Sequence, residues 1–259
     1  MGNMDTTTPG TATPGTAIPG TTSGTTTPIT TTPGMTGNMD FLPLTEATGL
    51  TEFDIERVAA LHRALAPSQH AYDIIHTHCV IVARLALSLV RADAITHADG
   101  TPLDERLLAL GGMVHDIGTY QLIKSDGSDG EPLRFKHSKY IQHGLRGYKL
   151  LKACGFGEDL AQFARNHTGI GLTAKAVKEQ ELPLPVADYV PVTAEQKLVM
   201  YADKFHTKSD PAEFVGFDRC IRRAAKHGEA NAQGMRDLIE RFGMPPIEQA
   251  AREYGMELR

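Results

Sequence analysis

The sequence predicts an all-α domain, and three observations predict it. From Thr51 onward apolar residues recur at three- and four-residue spacings, the period of a helix with one buried face. Helix-starting and helix-ending residues flank those stretches. No segment alternates apolar and polar residues for long enough to read as a strand. The expected architecture is a helical bundle over residues 41–259, preceded by a tail over residues 1–40.

The tail repeats Pro-Gly at Pro9-Gly10, Pro14-Gly15, Pro19-Gly20 and Pro33-Gly34, with threonine filling most of the gaps. Such a stretch buries too little apolar surface to offset the entropy lost on ordering, so it is expected to be disordered. Thr51 and Asp54 suit a helix start, and Phe53, Val58, Leu61 and Leu65 are expected on its core face. A second helix is expected over 72–91, with Val82, Leu85 and Leu89 inward. A third follows Pro102, where Asp104 and Glu105 favour the first turn. It passes through Leu107, Leu108 and Met113 and stops near Gly118.

Residues 125–132 are turn formers and read as a loop. The next helix covers 137–152, places His143 at its middle, and ends at Gly155, which suits a left-handed cap. Short helices are expected at 157–166 and 173–179. Pro183, Pro185 and Pro191 enforce an extended connection. Thr193 then caps a helix through Leu198, Val199, Met200 and Phe205. Helices over 211–226, 231–242 and 246–254 finish the chain.

Composition narrows the function. The formal net charge is −5 and no basic block occurs, which argues against a nucleic-acid partner. No apolar run is read as long enough to span a membrane, and no signal peptide is recognised. The three cysteines form no CxxC pair, so neither a disulfide framework nor a cysteine zinc site is expected. The expected setting is cytoplasmic and the expected partner a small molecule; the oligomeric state is not legible.

Among eleven histidines, those at 78, 115, 143 and 167 stand out together with Asp116 and Asp203. Apart from the doublet His115-Asp116, each falls on a different predicted helix. A helical bundle builds a metal site in this way, with inward side chains from facing helices meeting in the core. Imidazole and carboxylate donors suit Fe, Mn, Zn, Co or Ni. Adjacent residues on a helix diverge by about 100°, so the doublet needs the looser backbone of a helix end, which Gly118 is expected to release. An aspartate there can offer one oxygen to each of two ions. His76 is expected to point elsewhere, and His62, His70, His97 and His227 to have no special role.

The order His78, His115-Asp116, Asp203 resembles the signature of the HD superfamily of metal-dependent phosphohydrolases, and His115-Asp116-Ile117-Gly118 matches its HDIG variant. His143 and His167 fall where dinuclear members carry two further histidines. The resemblance covers about residues 70–210 and implies a compact helical core. It implies one divalent transition metal on His78, His115, Asp116 and Asp203, and a second on Asp116, His143 and His167. Fe or Mn is expected first, then Co, Ni or Zn. The GYP signature of cyclic-di-GMP phosphodiesterases is absent, and the tail beyond 210 shows no motif.

The expected activity is hydrolysis of a phosphate ester or anhydride of a nucleotide or other small metabolite, with Asp116 and Lys204 as catalytic residues. Lys136, Lys139 and Arg146 are expected to contact substrate phosphate, and His206 and Lys208 are further candidates. The alternatives are an HD-type diiron oxygenase acting on a small carbon substrate and a non-catalytic metal-binding signalling module.

Overall fold

In the computed structural model, which describes residues 39–93 and 95–259, helices dominate. Expectations for residues 1–38 lie outside the described residues. The α-helices are α1 (Glu52–Leu65), α2 (Gln69–Asp93), α3 (Glu105–Val114), α4 (His143–Ala153), α5 (Glu158–Asn166), α6 (Ala174–Glu179), α7 (Ala194–Ala202), α8 (Phe217–Ala225), α9 (Glu229–Phe242) and α10 (Ile247–Tyr254). Short strands accompany them. β1 (Ile123–Ser125) pairs antiparallel with β2 (Arg134–Phe135), and β3 (Glu213–Phe214) pairs in parallel with β4 (Glu257–Leu258). The sequence does not show these strands because two- and three-residue segments are too short to express a period.

The helix starts follow their capping residues. Thr51 and Asp54 form a reciprocal capping box at α1. The side chains of Asp104, Thr173 and Thr193 accept from the first turns of α3, α6 and α7. Gly155 ends α4 with φ +77°. Phe53 is a correction, being 75% exposed; α1 buries Val58 as expected, together with Ala59 and His62. Thr51 and Asp54 mark the start of α1 as expected, but a first-turn residue has few neighbours to cover it.

α2 is the core helix and packs against α1, α3 and α7. It overturns one expectation. Residues Gln69–Ala92 are long and apolar enough to cross a membrane by length and composition, yet 72% of the most apolar window is buried inside the protein. Arg84 on this helix donates to the carbonyls of Phe41 and Leu42 and pairs with Glu253, so it ties the first described residues to α10. α3 approaches α2 closely because Gly112 has no side chain: a Cβ there would lie 2.6 Å from the Ala83 Cα.

His62 also departs from expectation. It is fully buried; its Nε2–H donates to the Met113 carbonyl at 2.8 Å, and its Nδ1 accepts from the Tyr120 hydroxyl at 2.9 Å. It therefore pins α1 to the end of α3, two residues before the doublet. His70 and His97 have structural partners too, Asp210 and Glu195. Burial, reinforced by His76, holds the His62 pKa down to about 3 from 6.5. The unfolded chain then binds a proton that the folded chain refuses between those values, so stability falls as pH drops from 6.5 toward 3. Urea unfolding across that window should show the slope of stability against pH reduced by up to about 1.4 kcal/mol per pH unit in His62→Gln. Equal slopes in the two proteins would show that His62 is not buried neutral.

Candidate metal centre

Helix ends deliver most of the site. His115 is the C-cap of α3 and His167 the C-cap of α5. Asp203 closes α7, and His143 opens α4 after a 3-10 turn over His137–Gln142 rather than lying mid-helix as expected. Only His78 sits within a regular helix. The doublet converges because Asp116 leaves helical geometry, with φ −105° and ψ 13°. Gly118 has a different task from the expected one. Its φ is not positive; instead a Cβ there would fall 2.1 Å from the His143 carbonyl oxygen and 2.4 Å from the Gly147 nitrogen. It lets α4, and so His143, close onto the doublet.

The six residues meet in two groups that share Asp116. In the first, His78 Nε2 lies 3.3 Å from Asp116 Oδ2 and 3.1 Å from Asp203 Oδ1, while His115 Nε2 lies 3.4 Å from each of the same two oxygens. In the second, His143 Nε2 and His167 Nε2 lie 3.5 and 3.3 Å from Asp116 Oδ1. One carboxylate thus gives each oxygen to a different group. His78, His115 and Asp116 are completely buried.

The donors fit divalent ions. Neither oxygen of Asp116 has a hydrogen bond of normal geometry, a costly state for a buried carboxylate. The imidazoles show the same need. Nδ1 of His115, His143 and His167 donates to the carbonyls of Gly112, Tyr140 and Ala164, at 2.7, 2.6 and 2.9 Å. A carbonyl only accepts, so in His143 and His167 Nε2 presents a lone pair; for His115 burial works against the charged ring, but Asp116 beside it raises its pKa well above 6.5. His143 and His167 aim these lone pairs at each other across 2.9 Å. Burial holds both rings neutral, His143 with a pKa near 3. Two facing lone pairs are stable only with a cation between them. Neighbouring donors on an octahedral ion at about 2.1 Å stand about 3 Å apart, which matches these spacings.

Lys208 brings a positive charge to the first group. Its ammonium contacts Asp116 Oδ2, donates to His78 Nε2 at 3.2 Å and lies 3.9 Å from Asp203 Oδ1. Burial alone would raise the Asp116 carboxyl, but Lys208 and His115 hold it well below the ordinary range. Lys204 turns back onto Asp203 at 2.7 Å rather than pointing away from it. Lys136, Lys139 and Arg146 do not line the cavity over the site; the first two are exposed, and Arg146 is held by Gln142. Sequence reasoning ranked Lys208 below Lys204 because spacing does not reveal how the extended segment after His206 turns back.

Two adjoining cavities of about 490 and 630 Å³ open over the donors. Phe135, Tyr140, Lys204 and Lys208 are among the residues that line both. Arg223, Asn231 and Met235 from α8 and α9 close the far wall of the smaller one.

A profile of the HD domain family matches residues 75–208. The chain belongs to the HD domain family. HD domains bind divalent metals, and the matched span contains all six clustered donors. This HD protein is 33% identical over 166 residues to the uncharacterized protein MJ0778 of Methanocaldococcus jannaschii, an alignment covering 62% of the chain and 82% of that relative. It is 32% identical over 136 residues to a tRNA (cytidine(56)-2'-O)-methyltransferase of Picrophilus torridus, covering 52% of the chain but 32% of the methyltransferase. The HD domain of the Listeria monocytogenes phosphodiesterase PgpH, solved with cyclic-di-AMP, aligns at 14% identity with a TM-score of 0.43, covering 78% of this chain and 99% of that one.

The Lys208 contact yields a prediction. Removing one partner of a buried ion pair costs about 3–5 kcal/mol. Lys208→Met should therefore destabilise the metal-free HD domain by that order in urea unfolding, and saturating Mn²⁺ should remove most of the deficit. A deficit that persists with Mn²⁺ would mean that Lys208 and the ion do not balance the same carboxylate.

Proposed function

We propose that this HD domain is a metal-dependent phosphohydrolase that cleaves a phosphate ester or anhydride of a small metabolite at a dinuclear centre. The single observation that carries the reading is Asp116, buried, with Oδ2 in one donor group and Oδ1 in the other. Two divalent ions held there would activate a water and neutralise phosphoryl oxygens, the chemistry of paired ions about 3.5–4 Å apart. Fe or Mn suits the mixed imidazole and carboxylate set best.

The chain's own residues bind and orient. His78, His115 and Asp203 would hold one ion and His143 and His167 the other, with Asp116 available to both. With Asp116 so engaged, the Lys208 ammonium would be free to donate to phosphate oxygens. Lys204, set by Asp203 at the cavity floor, adds a second cation. Arg223 extends the cationic lining outward, so an anionic substrate is drawn in and held. Phe135, Tyr140 and Met235 offer apolar surface for the organic part.

A screen of p-nitrophenyl phosphate, its bis-ester and a nucleotide panel, run separately with Mn²⁺, Fe²⁺, Co²⁺ and Ni²⁺, tests the proposal. Phosphate ester cleavage should require an added divalent ion, proceed without oxygen, and fall to background in Asp116→Ala. Wild-type turnover by Asp116→Ala would refute the assignment. Oxygen consumption by the iron form without ester cleavage would place the protein among oxygenases instead.

A further inference from the structure

His78 is the exception among the four clustered histidines. The other three sit at helix ends, where each Nδ1–H takes the carbonyl three residues earlier. His78 lies inside α2, whose carbonyls are engaged by the helix itself. Its Nδ1 instead faces Nδ1 of another imidazole, His206, at 2.9 Å. Either ring could carry the hydrogen, so this contact alone leaves the His78 tautomer open.

The far side of each ring closes the question. His206 Nε2 lies 3.2 Å from the Met256 sulfur. A thioether accepts weakly and donates nothing, so the hydrogen belongs on His206 Nε2. That leaves His206 Nδ1 bare, able only to accept, and places a hydrogen on His78 Nδ1. At the other end, the Lys208 ammonium lies 3.2 Å from His78 Nε2 and can only donate, which requires a lone pair on that same nitrogen. Nε2 also lies 3.1 and 3.3 Å from the Asp203 and Asp116 oxygens, which would accept from an Nε2–H. The Lys208 ammonium, however, stands among these groups as the cation and answers the same oxygens, so both ends favour one arrangement.

The relay is built into the fold. His206 is 4% exposed, its ring lies against Phe214, and its backbone bridges to the same residue. Met256 follows the left-handed cap Gly255 at the end of α10, and β4 then pairs with β3. Arg259 closes the chain with backbone bonds to Phe214 and Gly216. These closing residues lie outside the matched span of 75–208.

We propose that Met256 and His206 are positioning residues that fix His78 as the Nδ1–H tautomer, so that its Nε2 lone pair faces Asp116 and Asp203 ready for an ion. The C-terminal segment is in this way an outer part of the metal centre. The value of the arrangement to the protein rests on the metal reading above, but the tautomer itself does not require an ion.

Long-range proton–nitrogen NMR of ¹⁵N-imidazole-labelled, metal-free protein reads the tautomers, and calorimetric titration with Mn²⁺ reads affinity. In the wild type His78 should be the Nδ1–H form and His206 the Nε2–H form. Met256→Leu should leave His206 in mixed tautomers. His206→Phe should weaken Mn²⁺ binding about 10–100-fold, and His206→Gln, whose amide oxygen can accept from His78, should restore most of it. An Nε2–H form of His78 in the wild type would overturn the proposal. So would wild-type Mn²⁺ affinity in folded His206→Phe, or a His206→Gln variant no better than Phe. If His206→Phe does not fold, the tautomers of Met256→Leu decide alone, and an unmixed His206 there overturns it. A wild type with the expected tautomers but no Mn²⁺ binding would defeat the metal reading and leave the relay standing.

Discussion

The carboxylate of Asp116 is the constraint on which the rest of the structure depends. It is completely buried, and neither oxygen finds a hydrogen bond of normal geometry. A charge in that position is tolerable only if cations or metal ions surround it. The fold answers by bringing α2, α3, α4, α5 and α7 to one point. Those approaches are close enough to need glycine: Gly112 beneath Ala83 of α2, and Gly118 beneath the start of α4.

The placement of donors at helix ends follows from the same need. An interior helical carbonyl is occupied, whereas the last turn leaves carbonyls free. His115 and His167 use that vacancy at the ends of α3 and α5, and His143 uses the 3-10 turn before α4 in the same way. One local device orients three rings. His78 cannot use it from within α2, and the structure brings His206 to the same nitrogen from the segment after α7. Asp203, also at a helix end, turns Oδ1 inward and Oδ2 to Lys204.

Much of this was legible in the sequence, and the limits have physical causes. Capping or first-turn residues marked the starts of α1, α3 and α7, because these are local interactions read within four residues. The order of His78, His115-Asp116, His143, His167 and Asp203 pointed to one cluster, and these six residues do converge. Lys208 and His206 were harder to rank, since both lie on extended chain where side-chain direction depends on pairing with β3. His62 carried no signal at all: a lone histidine on an apolar face reads the same whether it pins two helices or does nothing. The cavity wall from α8 and α9 was invisible for a similar reason, as Arg223 and Met235 belong to ordinary amphipathic patterns until packing brings them to the cavity.

The central claim is that Asp116 bridges two ions. Anomalous diffraction at the manganese edge, from crystals of the Mn²⁺-loaded protein, tests it most directly. The account predicts two peaks about 3.5–4 Å apart, one on each side of the Asp116 carboxylate, the first among His78, His115 and Asp203 and the second beside His143 and His167. A single peak with His143 and His167 unligated, or peaks that leave Asp116 without an ion, would contradict it.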